Sequence, residues 1–161
     1  MAGLQAGRWR AGAASVLLVV GLLVTTACGI PRDPDGALDR ITGGQLRAGA
    51  SSHGDLVLVD GDDVAGPLAD LVEGFAAERD ATVVWTVDSE ERLVDDLEAG
   101  ELDLAIGGMT DATPWTDRVS ATRGFAGIEG AGGDSVVLLL PLGENAFQTA
   151  LEEYLDREVG P

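Results

Sequence analysis

From Gln45 onward, short β-branched or apolar runs alternate with segments of helical period, and that alternation constrains the fold more than any other feature. Gln45 to Ala50 reads as a first strand and Asp55 to Asp60 as a second extended piece, with a turn at Gly61-Asp62-Asp63. Pro67 suits a first helical position. Leu68, Leu71, Val72, Phe75 and Ala76 recur on one face behind it. Thr82 to Val87 is β-branched and aromatic, a strand. Ser89 predicts the N-cap of a helix through Ala99, with Leu93, Val94 and Leu97 inward and Gly100 as its stop. Leu102 to Ile106 and Asp134 to Pro141 are further apolar strands, and Asn145 to Val159 is an amphipathic closing helix. Strands alternating with helices imply an α/β fold, a mostly parallel sheet with helices on both faces. Arg123 to Gly133 holds five glycines in eleven residues and reads as a flexible loop.

The chemistry concentrates at one place. The strand ending at Ile106 runs into Gly107-Gly108-Met109-Thr110-Asp111-Ala112-Thr113-Pro114. In α/β sheets ligands sit just past the carboxyl ends of strands. Paired glycines admit a ligand close to the backbone. Hydroxyls and a carboxylate follow at once. Read structurally, the same side chains cap a turn before Pro114. Trp115 could stack on a ligand or cover the sheet. His53, the single histidine, has no acid–nucleophile pattern around it. Asp60, Asp62 and Asp63 do not complete a calcium loop. No nucleophile elbow, zinc set, phosphate loop or paired-carboxylate pattern is present, so neither an enzyme nor a metal or cofactor site is expected.

The start of the chain is a processing signal. Arg8 and Arg10 precede an apolar run, Ala13 to Val24, too short for a stable membrane span. Thr25-Thr26-Ala27-Cys28-Gly29 follows, and it resembles a bacterial lipobox with Thr25 where a leucine is usual. The expected organisation is a signal peptide over residues 1–27, lipid attachment at Cys28, a flexible tether over 28–44 and one domain over 45–161. Loss of the signal removes two arginines and no acid, which moves the formal charge from −18 to −20 and leaves 134 of the 161 residues. All ten basic residues are arginine. A body this acidic repels nucleic acid and anionic headgroups, so the lipid at Cys28 has to hold it at the extracytoplasmic face of the cell membrane.

Three stretches carry a family resemblance. Gln45-Leu46-Arg47-Ala48-Gly49 stands where extracellular solute-binding proteins of family 3, the polar amino-acid receptors of ABC importers, have an "LRVG" strand. Gly66-Pro67-Leu68-Ala69-Asp70-Leu71 parallels their "GFDVDLA" helix start. Leu97 to Thr110, LEAGELDLAIGGMT, is similar to their "L.SGKVDL.IGGMT" segment, and Thr113-Pro114 matches the following "TPER" turn after one inserted residue. Val136 to Glu153 looks like the strand and helix that return to the first lobe. The likeness implies a single periplasmic-binding-protein-like lobe with ligand contacts at Gly107, Gly108, Met109, Thr110, Asp111, Thr113 and Ser51. Its partners would be a small polar solute and a membrane transporter permease or another membrane protein. The chain departs from the family twice. Only Ser120 to Asp134 lies where the second lobe belongs, too few residues for a packed α/β lobe. The place of the carboxylate-gripping arginine holds Thr116, with Arg118 two residues on as the candidate replacement. The alternative reading is a ligand-free interaction or regulatory module that docks on a membrane transporter.

Overall fold

β1 (Gln45–Ala50) is an inner strand of the main sheet. In this computed structural model, which describes residues 33–160, β4 (Thr82–Val87) pairs with it in parallel along its whole length, from Gln45 against Thr82 to Ala50 against Val87. On its other side β5 (Leu104–Ile106) pairs in parallel with Ala48 to Ala50. β7 (Leu139–Leu140) runs antiparallel to β5, and β6 (Ser120–Ala121) runs antiparallel to β7. The order is therefore β4-β1-β5-β7-β6, with four of the five strands pointing the same way. The expected α/β class and mostly parallel sheet are what the chain adopts. The expected signal segment, Cys28 and the first residues of the tether lie outside the described residues.

Helices cover both faces of the sheet. α2 (Pro67–Ala77) and α4 (Asn145–Val159) share one face. Phe75 meets Phe147 at 5.7 Å between ring centres, and Tyr154 edge-on at the same distance. α3 (Glu90–Glu98) packs on the other face through Leu93, Val94 and Leu97. It settles directly on β1 at Gly49, where a Cβ would stand 2.7 Å from Leu93 and Leu102 side-chain atoms. Burying each such aliphatic side chain contributes about 1.5–3 kcal/mol. A small hairpin, β2 (Leu58–Asp60) and β3 (Asp63–Ala65), is closed by Gly61 at a φ of 64°. Asp60, Asp62 and Asp63 lie at its tip.

Three expectations are corrected by packing. Residues 37–41, assigned to the flexible tether, form a short helix, α1 (Ala37–Ile41), whose Ala37 and Ile41 are buried in the α2–α4 core. Its N–H groups are capped both from far along the chain and locally: Ala37 N–H donates to Glu144 Oε2 at 3.0 Å and Leu38 N–H to Asp33 Oδ2 at 2.9 Å. Asp33 Oδ1 in turn accepts from the N–H groups of Ala146 and Phe147 at the start of α4. Second, the glycine-rich stretch 123–133 is a pinned strap. Phe125, Ile128 and Ala131 are buried in the α2–α4 core, and Phe125 forms a bridge with Val136. Third, the strand expected over Asp134 to Pro141 pairs as a strand only at Leu139–Leu140, since Val136 is occupied by single bridges to Thr110 and Phe125.

Candidate ligand-binding site

The strand order places a crevice. The chain leaves β1 for β4 on one side, then returns through α3 to β5 on the other, so β1 and β5 flank a topological switch point. Ser51 follows β1 and Gly107 follows β5. The two ends are held together, because Ser51 N–H donates to Ile106 O at 3.0 Å. Just beyond, His53 is fixed by a tight turn in which its N–H donates to Val57 O and its carbonyl accepts from Leu56 and Val57.

Neighbouring side chains pack into the space that a Cβ would take at both glycines. A Cβ on Gly108 would fall 2.2 Å from His53 Nδ1, so the imidazole covers that backbone. A Cβ on Gly107 would meet Met109 Sδ at 2.9 Å, Ser51 Cβ at 3.3 Å and Glu90 Oε1 at 3.5 Å. The Gly107-Gly108 backbone thus lies close beneath the side chains of Ser51, His53, Glu90 and Met109. Thr110 forms a bridge with Val136, and Asp111 N–H donates to Ser135 O at 3.1 Å, which ties the site to the chain just after the strap. Thr110 to Thr113 is a turn: Thr113 N–H donates to Thr110 O at 2.9 Å. Asp111 is exposed at the rim.

The structure brings together Ser51, Gly107, Gly108 and Thr110, with Asp111 beside them. It treats the other expected contacts differently. The Met109 side chain is buried in the α3 core, so only its backbone and sulfur edge border the crevice. Thr113 Oγ1 and Trp115 Nε1 are buried without a described partner, and Trp115 packs against the α3 core. Arg118 is not with the others. It ion-pairs with Asp95 at 2.7 Å and with Glu98, toward the C-terminal end of α3 and away from Gly107. Those carboxylates raise its pKa further. Spacing could not show this, because the Trp115–Val119 turn sets where Arg118 points. The sequence reading also passed over Glu90; its place as the first residue of the helix after β4 was the available signal.

A separate concavity lies at the opposite end of the sheet. It is an open cleft of about 640 Å³ bordered by Arg40, Arg47, Asp103, Arg118 and Leu142. Asp103 is buried beneath it and pairs with Arg47 at 2.5 Å and with Arg40. Burial alone would push the Asp103 carboxyl up, but hydrogen bonds from the Arg47 side chain and backbone and from Arg40 hold it below the usual carboxylate range. The guanidinium groups there are spent on internal partners, so this cleft offers less free chemistry than the switch point. Among the described residues no group of three or more His, Cys, Asp or Glu side chains comes together as a metal site.

No protein-family model matches the sequence, and no curated protein matches it. Solved structures do. The arginine-bound form of domain 1 from TmArgBP, the ArgBP of T. maritima, superposes with a TM-score of 0.63 at 18% identity, over 74% of this chain and 97% of that one. A point mutant of the same form superposes with a TM-score of 0.65 at 19% identity, over 75% of this chain and 97% of that one. The fold is a single periplasmic-binding-protein-like lobe. At this identity the likeness speaks for architecture alone, and it covers one domain nearly end to end. The short strap 123–133 is consistent with that, since it closes the lobe where a two-lobed chain would cross over.

Proposed function

We propose that the chain is the membrane-anchored, extracytoplasmic solute-binding component of an ABC-type transporter, in which one lobe holds a small polar solute at the ends of β1 and β5. The observation that carries this reading is the Gly107-Gly108 backbone at the switch point, with Ser51 and Thr110 beside it. Support comes from the TmArgBP likeness, because that structure is an isolated domain 1 in an arginine-bound form. A lobe of this architecture therefore does not need its second half to hold a ligand. Anchoring through an acylated Cys28 would keep the acidic body at the membrane and close to a permease. Ser51, Gly107, Gly108 and Thr110 make the contacts in this reading, with Asp111 and Thr113 at the rim and Met109 through its backbone. Arg118 stays outside the set.

One wall leaves part of a ligand in water, so an affinity near about 1 mM, or −4 kcal/mol, is expected. Calorimetric titration of the whole chain with polar amino acids, small anions and small cations tests it. Ser51→Ala and Thr110→Ala should each weaken binding several-fold, and Arg118→Ala should leave it unchanged. No heat and no thermal shift at about ten times that concentration with every compound would remove the reading. The second reading, a ligand-free module docking on a transporter, is favoured by one observation: Arg118 is already neutralised by Asp95 and Glu98. Metabolic labelling with a fatty-acid analogue tests the anchor, with Cys28→Ala expected to lose the label.

A further inference from the structure

We propose that the end of the lobe bearing the Leu142-Gly143 turn rests on the bilayer to which the chain is anchored, with Leu142 set among the lipid headgroups. The inference rests on the anchored reading above and deepens it by fixing which face of the lobe meets the membrane.

The start of the described chain is pinned at this end. Asp33 accepts from the N–H groups of Leu38 in α1 and of Ala146 and Phe147 in α4. Asp35 N–H donates to Glu144 Oε1 at 3.0 Å, and Ala37 N–H to Glu144 Oε2 at 3.0 Å. Pro34 Cγ lies 3.3 Å from where a Cβ on Gly143 would stand, so the chain enters the lobe beside Leu142. Five peptide steps lead from Cys28 to Asp33, and they span at most about 18 Å however the chain between them runs. A lipid on Cys28 therefore keeps this end of the lobe close to the bilayer. A loose tether over residues 28–44 would let the lobe turn any face to the membrane; α1 and its caps shorten the free length and remove that freedom. The Ser51–Gly108 end then points away from the lipid, about 20 Å further along β1.

The surface at this end suits lipid. Leu142 is 58% exposed, the most of any large apolar side chain among the described residues. It stands at the turn between β7 and α4, on the rim of the open cleft. The acids around that cleft are engaged within the protein: Asp103 pairs with Arg40 and Arg47, Glu98 pairs with Arg118, and Glu144 is held by two N–H groups. Three of the seven described arginines thus lie at one end of a body whose formal charge is −18. That end meets an anionic headgroup layer with less repulsion than the rest of the surface. An exposed apolar side chain beside guanidinium groups is the composition of an interfacial contact.

The test uses the lipidated, ¹⁵N-labelled chain in nanodiscs, with and without a lipid that carries a nitroxide on its headgroup, read by amide relaxation. The amides of Gly100, Leu142 and Gly143 are expected to broaden severalfold more than those of Ser52, Gly54 and Asp55. Leu142→Asp is expected to keep the melting temperature and to cut that contrast by half or more. Equal broadening at both ends, or stronger broadening at Ser52 to Asp55, would overturn the orientation and leave the anchor intact. A contrast untouched by Leu142→Asp would overturn the assignment of that side chain to the lipid surface. A chain that carries no lipid on Cys28 would remove this inference together with the anchor.

Discussion

At Gly108 one methyl group decides the shape of the site. A Cβ there would overlap the His53 ring at 2.2 Å, yet the backbone at Gly108 lies outside the left-handed region and His53 is exposed. Gly108→Ala should therefore cost less than about 1 kcal/mol in urea unfolding, because the imidazole can swing out, but it should abolish solute binding. Full binding by that variant would mean that the ligand does not approach this backbone. Asp103 is the converse case, a residue that matters for stability alone. Its carboxyl is held below its ordinary value in the fold and returns to that value on unfolding, so its contribution is complete above about pH 4 and fades as pH falls through the lower, folded value. Asp103→Asn should lose about 2 kcal/mol at neutral pH, since Arg40 and Arg47 remain partly solvated when unpaired. The gap to the parent should close in acid. A gap constant down to about pH 2 would contradict the ion-pair assignment.

The elements divide by how local their causes are. α2, α3 and α4 were legible in the sequence because each carries its own apolar stripe, and β1 and β4 because their residue types suit a strand. α1 was not. It is five residues long, with only Ala37 and Ile41 fully buried, and the cap on Ala37 comes from Glu144, more than a hundred residues away. The strap hid for a similar reason: its glycines dominate the composition, while Phe125, Ile128 and Ala131 gain their core only from helices elsewhere in the chain. At the site, the Gly-Gly floor was readable from position after a strand. Glu90 and the true surroundings of Arg118 depend on how α3 lies against the sheet, which one sequence does not encode locally. Two substitutions test these late-found elements by urea unfolding. Asp33→Ala removes the acceptor of three N–H groups across α1 and α4 and should cost about 1–2 kcal/mol. Phe125→Ala empties a fully buried site in the strap and should cost about 3–5 kcal/mol. A loss below about 0.5 kcal/mol for either would mean that the segment is not built into the core.

On the scale of the whole lobe, the two ends of the sheet have separate work. The end bearing Arg40, Arg47 and Asp103 is internally neutralised and fastens α1 and β1 to the start of β5. The end bearing Ser51, Gly107 and Gly108 brings the ends of β1 and β5 together around two glycines. Solute binding by a single lobe therefore predicts a response at one end and silence at the other. The most direct measurement is a titration of the ¹⁵N-labelled chain with the same panel of polar amino acids, small anions and small cations, followed by amide chemical shifts. Progressive, saturating shifts at Ser51, Gly107, Gly108 and Thr110 are predicted, with Arg40, Arg47 and Arg118 unmoved. Shifts confined to the far cleft, or none at all at about 10 mM, would contradict the account.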